Sequence, residues 1–368
     1  MGALRTEEMI LNLGPQHPST HGVLRLVVTL DGETIKHIDP VIGYLHRGTE
    51  KIAEDLNYTQ IIPYTDRMDY LSSMINNYNL VHAVETAMGL EIPERAEYLR
   101  IIVMELQRIA SHLVWFGTYL LDLGAMSPFL YAFRDREHIL RLFNELSGAR
   151  LTYNYMRVGG LKWDVTPGWI ERTAEFVSYF KKELEGYHQL VSGNRIFLNR
   201  VRDVGKITAE QAINYGMSGV ILRSTGVKWD LRKDEPYSIY DRFEFDVPVS
   251  TDGDCLARYH LRMEEMKQSI RILEQALPQF PAEGEFWGKV PRVLKVPAGE
   301  CYTRIEAPRG ELGCYLYSEG KDKPYRLKFR RPSFVNLSIL PELLIGDTVS
   351  NMIAVLGSID IVLGEVDA

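Results

Sequence analysis

The segment from about Ile92 to Leu123 constrains the fold more than any other part of the chain. Pro93 suits a first helical turn and Gly124 a helix end, so the segment reads as one long helix. Ile101, Ile102, Leu106, Ile109, Leu113, Val114 and Phe116 cover most of its circumference, and a helix of that kind is built to be surrounded. Yet Glu105, Arg108, His112, Tyr119 and Asp122 recur at spacings of three, four, seven and three. At about 100° per residue they fall in one stripe roughly 100° wide. On a lone helix such a stripe reads as a solvated face. On a helix so apolar elsewhere it reads as an internal polar network or part of a cavity, where every charge needs a partner. The apolar run Ile109–Leu121, closed by Arg108 and Asp122, is about 13 residues long, short of the roughly 18 that cross a bilayer.

Around this helix the 368 residues allow one large domain or two to three smaller ones. A net charge of -7 argues against wrapping nucleic acid, which needs phosphate-neutralising basic surfaces. Cys255, Cys301 and Cys314 are scattered and form no CxxC pair, so they complete neither a cluster site nor a disulfide framework and read as structural thiols. The first residues, with acidic side chains and no continuous apolar core, do not read as a signal peptide.

Gly22–Leu30 and Glu33–Ile38 alternate around Asp31-Gly32 and predict a β-hairpin with a two-residue turn. Helical spacing begins at Thr49–Leu56. A further helix is expected from an N-cap at Thr166 with Pro167 in its first turn to about Gly193, its Ile170, Phe176, Phe180 and Leu184 inward. Thr208–Gln211 is a capping-box pattern, and Asp254–Leu277 forms a helix with Met263, Met266, Ile270 and Leu273 on one side. Strands are expected at Glu300–Glu306, Gly313–Ser318 and Tyr325–Phe329, followed by a helical tail at Leu340–Leu356. The expected architecture is α+β: a β-rich region over 1–60, a helical bundle over 61–280, and a β-rich segment with a terminal helix over 281–368, all one integrated unit.

His17 and His21 sit in the loop Gly14-Pro-Gln-His-Pro-Ser-Thr-His-Gly22, whose prolines and glycines deny the helix an HExxH-type metal site needs. One imidazole there suffices for proton transfer. No GxGxxG, GxxxxGK[ST] or GxSxG motif is present, so the chain has no visible nucleotide loop or nucleophile elbow.

Several segments resemble one family. They are that loop, Gly43-Tyr-Leu-His-Arg-Gly-Thr-Glu-Lys51, Tyr64-Thr-Asp-Arg-Met-Asp-Tyr70, Glu105-Leu-Gln-Arg-Ile-Ala-Ser-His112 and Ser147-Gly-Ala-Arg150. Ser224-Thr-Gly226, Glu306-Ala-Pro-Arg-Gly310 and Gly357-Ser-Ile-Asp-Ile-Val-Leu-Gly-Glu-Val-Asp367 extend the match to essentially the whole chain. Together they are similar to the 49 kDa subunit family of the proton-pumping NADH:quinone oxidoreductase, respiratory complex I, itself related to the large subunits of nickel–iron hydrogenases. The resemblance implies a hydrogenase-large-subunit-like fold. It also locates the lost metal ligands: Asp69 and Ser72 in Arg67-Met-Asp-Tyr-Leu-Ser72, and Val362 and Glu365 in Asp360-Ile-Val-Leu-Gly-Glu365, stand where four thiolates would be. Oxygen donors and a valine do not replace thiolates for nickel and low-spin iron, so hydrogenase activity is not expected.

What the resemblance implies instead is a quinone headgroup site in the vacated pocket. His21 and Tyr70 match the residues that hydrogen-bond the quinone carbonyls, and Asp122 the carboxylate that partners the histidine. Subunits B and C of the complex and its membrane-arm H subunit are the implied partners, and they would hold the chain peripherally on the cytoplasmic side of a bacterial cell membrane. Arg47, with His46, Arg67 and Arg150, would lie toward a tetranuclear iron–sulfur cluster bound by the first of these, this chain binding no cofactor of its own. Leu151-Thr152 replaces a Met-His of many relatives, which implies a lower, less pH-dependent cluster potential suited to menaquinone. Ala368 stands where relatives usually carry arginine. An alternative is a scaffold subunit of a related ferredoxin-driven quinone oxidoreductase.

Overall fold

Alternating apolar residues open the chain as an antiparallel meander. The computed structural model describes residues 8–16 and 22–368. Strands β1 (Glu8–Leu13), β2 (Arg25–Asp31) and β3 (Thr34–Val41) form one sheet in that order. Leu26, Val28 and Leu30 of β2 and Ile35 and Ile38 of β3 are buried, as a period of two requires of a half-covered sheet. The turn falls one residue later than expected. Asp31 pairs with Thr34, leaving Gly32 and Glu33 as the turn. Such turns need positive φ at their first central residue, and Gly32 supplies it at 64°. The alternation gives no notice of β1, an edge strand whose Met9 and Ile10 are exposed.

The middle of the chain is helical. Helices α1 (Thr49–Ala53) and α2 (Tyr58–Thr65) lead through a tight turn at Tyr70–Ser72 into α3 (Ser73–Met88), α4 (Glu94–Asp122) and α5 (Met126–Ser147). A short ribbon of β4 (Met156–Arg157) and β5 (Gly160–Leu161) precedes α6 (Trp169–Tyr187) and α7 (Arg195–Val201). Then come α8 (Ala209–Asn214), α9 (Gly219–Arg223), α10 (Leu231–Asp234) and α11 (Cys255–Ala276). The C-terminal sheet has β6 (Gly299–Ala307), β7 (Gly310–Ser318) and β8 (Arg326–Arg330) antiparallel in that order. Four helices finish the chain: α12 (Pro332–Leu337), α13 (Leu340–Leu344), α14 (Val349–Ile359) and α15 (Leu363–Val366).

The long helix α4 packs against α3, α5, α11 and α14. Gly117 lets α5 approach: a Cβ there would meet the Phe129 Cα at 3.3 Å. Glu105, Arg108, His112 and Tyr119 are buried, so the stripe is an internal polar network, and only its last member, Asp122, is half-buried. The capping box at Thr208 and Gln211 is present, and Asp254 caps α11. Among the described residues no helix is long and apolar enough to cross a membrane.

Two expected helices differ. α6 starts at Trp169, because Thr166-Pro-Gly168 makes a turn instead, with Gly168 at φ 75° and the Trp169 amide donating to the Thr166 carbonyl at 3.0 Å. The tail breaks into α13 and α14. Gly346 and Asp347 leave the helix to bond β3, the Gly346 amide to the Ile35 carbonyl and the Ile35 amide to the Asp347 carbonyl, both at 2.8 Å.

Candidate functional site

Between α2 and α3 the chain cannot stay helical, because Asp69 turns its carboxylate back onto the backbone. It accepts from the Leu71 amide at 3.1 Å and from the Ser72 hydroxyl, an Asx-type cap. The same carboxylate receives Arg309 from the tip of the β6–β7 hairpin, Nη1 to Oδ2 at 2.6 Å. Arg309 Nη1 also donates to Ser111 Oγ of α4 at 3.0 Å, and Nη2 to Asp360 Oδ1 at 3.2 Å. Its backbone is fixed by Asn336, which donates to the Arg309 carbonyl at 3.0 Å. Asp360, just past α14, is left-handed at φ 61°, which aims its carboxylate between Arg309 and Arg262.

Glu365 completes the cluster. It accepts from the Ser333 amide at 3.0 Å, and the Val362 amide donates to Ser333 Oγ at 3.3 Å. Burial, then the charge of Asp69, pushes the Glu365 carboxyl up to about 7. Asp69, Ser72, Val362 and Glu365 therefore converge on one buried place. Its donors are two carboxylates and a hydroxyl, with a guanidinium already seated on one of them, a set unsuited to a soft metal. Among the described residues no group of three or more His, Cys, Asp or Glu could hold a metal ion.

Tyr70 follows Asp69 directly and is half-buried. Burial, then the Asp69 carboxylate, raises its hydroxyl pKa, while Arg309 opposes. The segment Arg67–Tyr70 is pressed by Gly364 of α15, where a Cβ would meet the Met68 carbonyl oxygen at 2.7 Å and the Tyr70 ring at 3.2 Å. Arg67 Nη1 donates to the Pro63 carbonyl at 2.6 Å, and the Arg67 carbonyl accepts from Arg47 Nη2 at 2.7 Å. Burial, then the charge of Arg67, lowers the Arg47 pKa. His46 Nδ1 donates to the Asp367 carbonyl at 2.7 Å. Tyr70, Arg67, Arg47 and His46 thus come together. Arg150 is exposed and turned to Glu137 of α5, Nη1 to Oε1 at 3.1 Å. Asp122 ends α4, and His17 and His21 lie outside the described residues.

The buried stripe of α4 supports this place from behind. Glu105 accepts from Tyr240 and Ser269 at 2.6 Å each and faces Arg108 and Arg232. His112 Nε2 meets Glu265 at 2.8 Å, and Arg223 joins Glu265 to Glu306, the latter at 2.8 Å. Burial lowers the His112 pKa despite Glu265. Arg108 holds the Glu306 carbonyl at 2.7 Å, so the network grips the hairpin that carries Arg309. Arg309 is the central residue that motif reading passes over as a site residue; its one legible sign is the Glu306-Ala-Pro-Arg-Gly310 segment.

A sequence profile described as "Respiratory-chain NADH dehydrogenase, 49 Kd subunit" matches residues 122–368. The NADH-quinone oxidoreductase D subunit of Geobacillus kaustophilus is 72% identical over 364 residues, 99% of either chain. Its counterpart in Geobacillus thermodenitrificans is 71% identical over 364 residues, covering 99% of this chain and 100% of that one. The counterpart in Bacillus anthracis is 69% identical over the same length, with the same coverage. These matches settle the relationship: the chain belongs to the 49 kDa subunit family of the respiratory-chain NADH dehydrogenase, the D subunits of NADH-quinone oxidoreductase.

Proposed function

We propose that this chain forms the site at which complex I reduces quinone, with Tyr70 and His21 hydrogen-bonding the two quinone oxygens and Asp122 holding the histidine. Reduction takes up two electrons and two protons to give the quinol. Each oxygen becomes strongly basic as the electrons arrive, so each needs a donor within about 3 Å. The observation that carries the reading is the Tyr70 phenol, half-buried beside the Asp69–Arg309 pair. Burial and the neighbouring carboxylate keep it protonated at neutral pH, a donor ready to give. The same surroundings disfavour the tyrosinate, so the phenol gives its proton only to an acceptor as basic as the reduced quinone oxygen.

On this reading electrons come from NADH through iron–sulfur clusters, the last of them held by the neighbouring B subunit beside the Arg47 loop, and the positive guanidinium stabilises the reduced cluster. Subunits C and H complete the chamber and tie the chain to the cytoplasmic face of the membrane, and the reprotonation of the His21–Asp122 pair helps drive proton translocation. Menaquinone is the proposed substrate. The test is Tyr70→Phe in the intact complex: quinone reduction is expected to fall by roughly 10²- to 10⁴-fold, with the subunits still assembled and NADH still reducing the last cluster. Unchanged turnover would overturn the assignment.

A further inference from the structure

The last turn of the chain touches both halves of the candidate site. Asp367 accepts two backbone amides of the loop that carries Arg47, from Gly43 to Oδ1 at 2.7 Å and from Leu45 to Oδ2 at 2.8 Å. The Asp367 carbonyl takes a third bond, from His46 Nδ1 at 2.7 Å. Three donors from four consecutive residues thus converge on one amino acid more than 300 positions away in sequence, at separations of 324, 322 and 321. Charge-assisted bonds of this kind are stronger than neutral ones and fix direction. The loop has little else to hold it: Ile42, Tyr44 and Leu45 are 39%, 48% and 40% exposed.

Three residues back, Gly364 lies so close to the Arg67–Tyr70 segment that a Cβ would stand 3.1 Å from the Arg67 carbonyl oxygen as well as against Met68 and Tyr70. That same Arg67 carbonyl receives Arg47. The contacts close a ring: Tyr70 to Gly364, along α15 to Asp367, across to Gly43–His46, on to Arg47, and back to Arg67. The α15 turn is itself anchored, Glu365 by the Ser333 amide and the Val366 carbonyl by Arg331 Nη1 at 3.2 Å.

We propose that Asp367 is a positioning residue that latches the Gly43–Arg47 loop to α15 and so holds Arg47 in fixed register with Tyr70. This rests on the reading of Tyr70 and Arg47 given above and adds to it the part that sets their separation. Asparagine at 367 keeps one acceptor oxygen, and alanine keeps neither.

The experiment compares Asp367→Ala and Asp367→Asn in the intact complex by hydrogen exchange of the 43–47 peptide, the electron paramagnetic resonance of the terminal cluster, and quinone reduction per assembled complex. In the alanine variant the peptide should exchange faster, the cluster signal should change shape, and turnover should fall by about tenfold to a hundredfold, the effect expected of a displacement near 1 Å. Asparagine should lie between it and the parent in all three. The latch is overturned by faster exchange with a parental cluster signal and turnover, or by fewer assembled complexes of unchanged turnover, the mark of a purely structural contact. If the alanine variant does not assemble, the asparagine variant decides by the same readings. Unchanged turnover in Tyr70→Phe would remove the quinone reading alone, since exchange and the cluster signal judge the latch independently.

Discussion

Replacing Arg309 with methionine should leave two buried carboxylates without the cation they share. Arg309 pairs with Asp69 and Asp360, whose exposures are 0% and 4%. Without it Asp69 keeps only the Leu71 and Ser72 donors, and Asp360 only Arg262 at 3.7 Å. Breaking a buried pair from one side costs about 3–5 kcal/mol because the remaining charge is left without compensation.

The deficit of Arg309→Met should therefore be about 3–5 kcal/mol at pH 8. For 368 residues the full deficit corresponds to ~4–6 °C in Tm. Thermal unfolding of parent and variant at pH 8, followed by tryptophan fluorescence, measures it directly. Arg309→Lys retains the charge but not the fork, so it should lose about 1.5–3 kcal/mol. A Met deficit below about 1 kcal/mol would show that Asp69 and Asp360 do not depend on this cation.

Glu365 should give the parent chain a slope of its own. Its carboxyl is raised to about 7, so its contribution is present below the unfolded value and disappears as pH rises through neutrality. Glu365→Gln should flatten Tm between pH 5 and 8 by the equivalent of roughly 3 kcal/mol, and an unchanged slope would count against the burial argument. Thr152 sits at φ 52°, a left-handed backbone that a β-branched residue adopts only under strain. Thr152→His should add ~0.5–1 kcal/mol of stability, since histidine tolerates that region better. It should also steepen the pH dependence of the terminal cluster potential toward about 59 mV per unit, which a redox titration of the complex would contradict by returning the parental slope.

Legibility followed the range of the interaction that decides each feature. The α4 helix, the β2–β3 hairpin and the Thr208 capping box are decided within a few residues, by apolar period or by a side chain reaching its own backbone, and their sequences announce them. The start of α6 was hidden because Pro167 fits a first turn as well as a preceding one, and Gly168 chose the second. The break at Gly346 is invisible locally because its cause is an exchange of backbone bonds with Ile35. The site divides the same way. Tyr70, Arg47 and Asp69 are legible as motif residues, but the pairing that defines the place joins Asp69 to Arg309 across 240 positions.

That distance links the two most unusual features of the chain. A helix as apolar as α4 admits Glu105, Arg108 and His112 only if opposite charges meet them: Arg108 and Arg232 flank Glu105, Glu265 meets His112, and Arg223 ties Glu265 to Glu306. Glu306 stands at the end of β6, so satisfying the stripe fixes the β6–β7 hairpin against α4. Three residues on, the same hairpin delivers Arg309 to Asp69 and Ser111. A guanidinium balances the buried carboxylates of Asp69 and Asp360, and it is held there by the network that makes the helix stripe tolerable in the core. The inward stripe and the Asp69–Arg309–Asp360 cluster are thus two ends of one arrangement, and the Tyr70 phenol stands at its open edge.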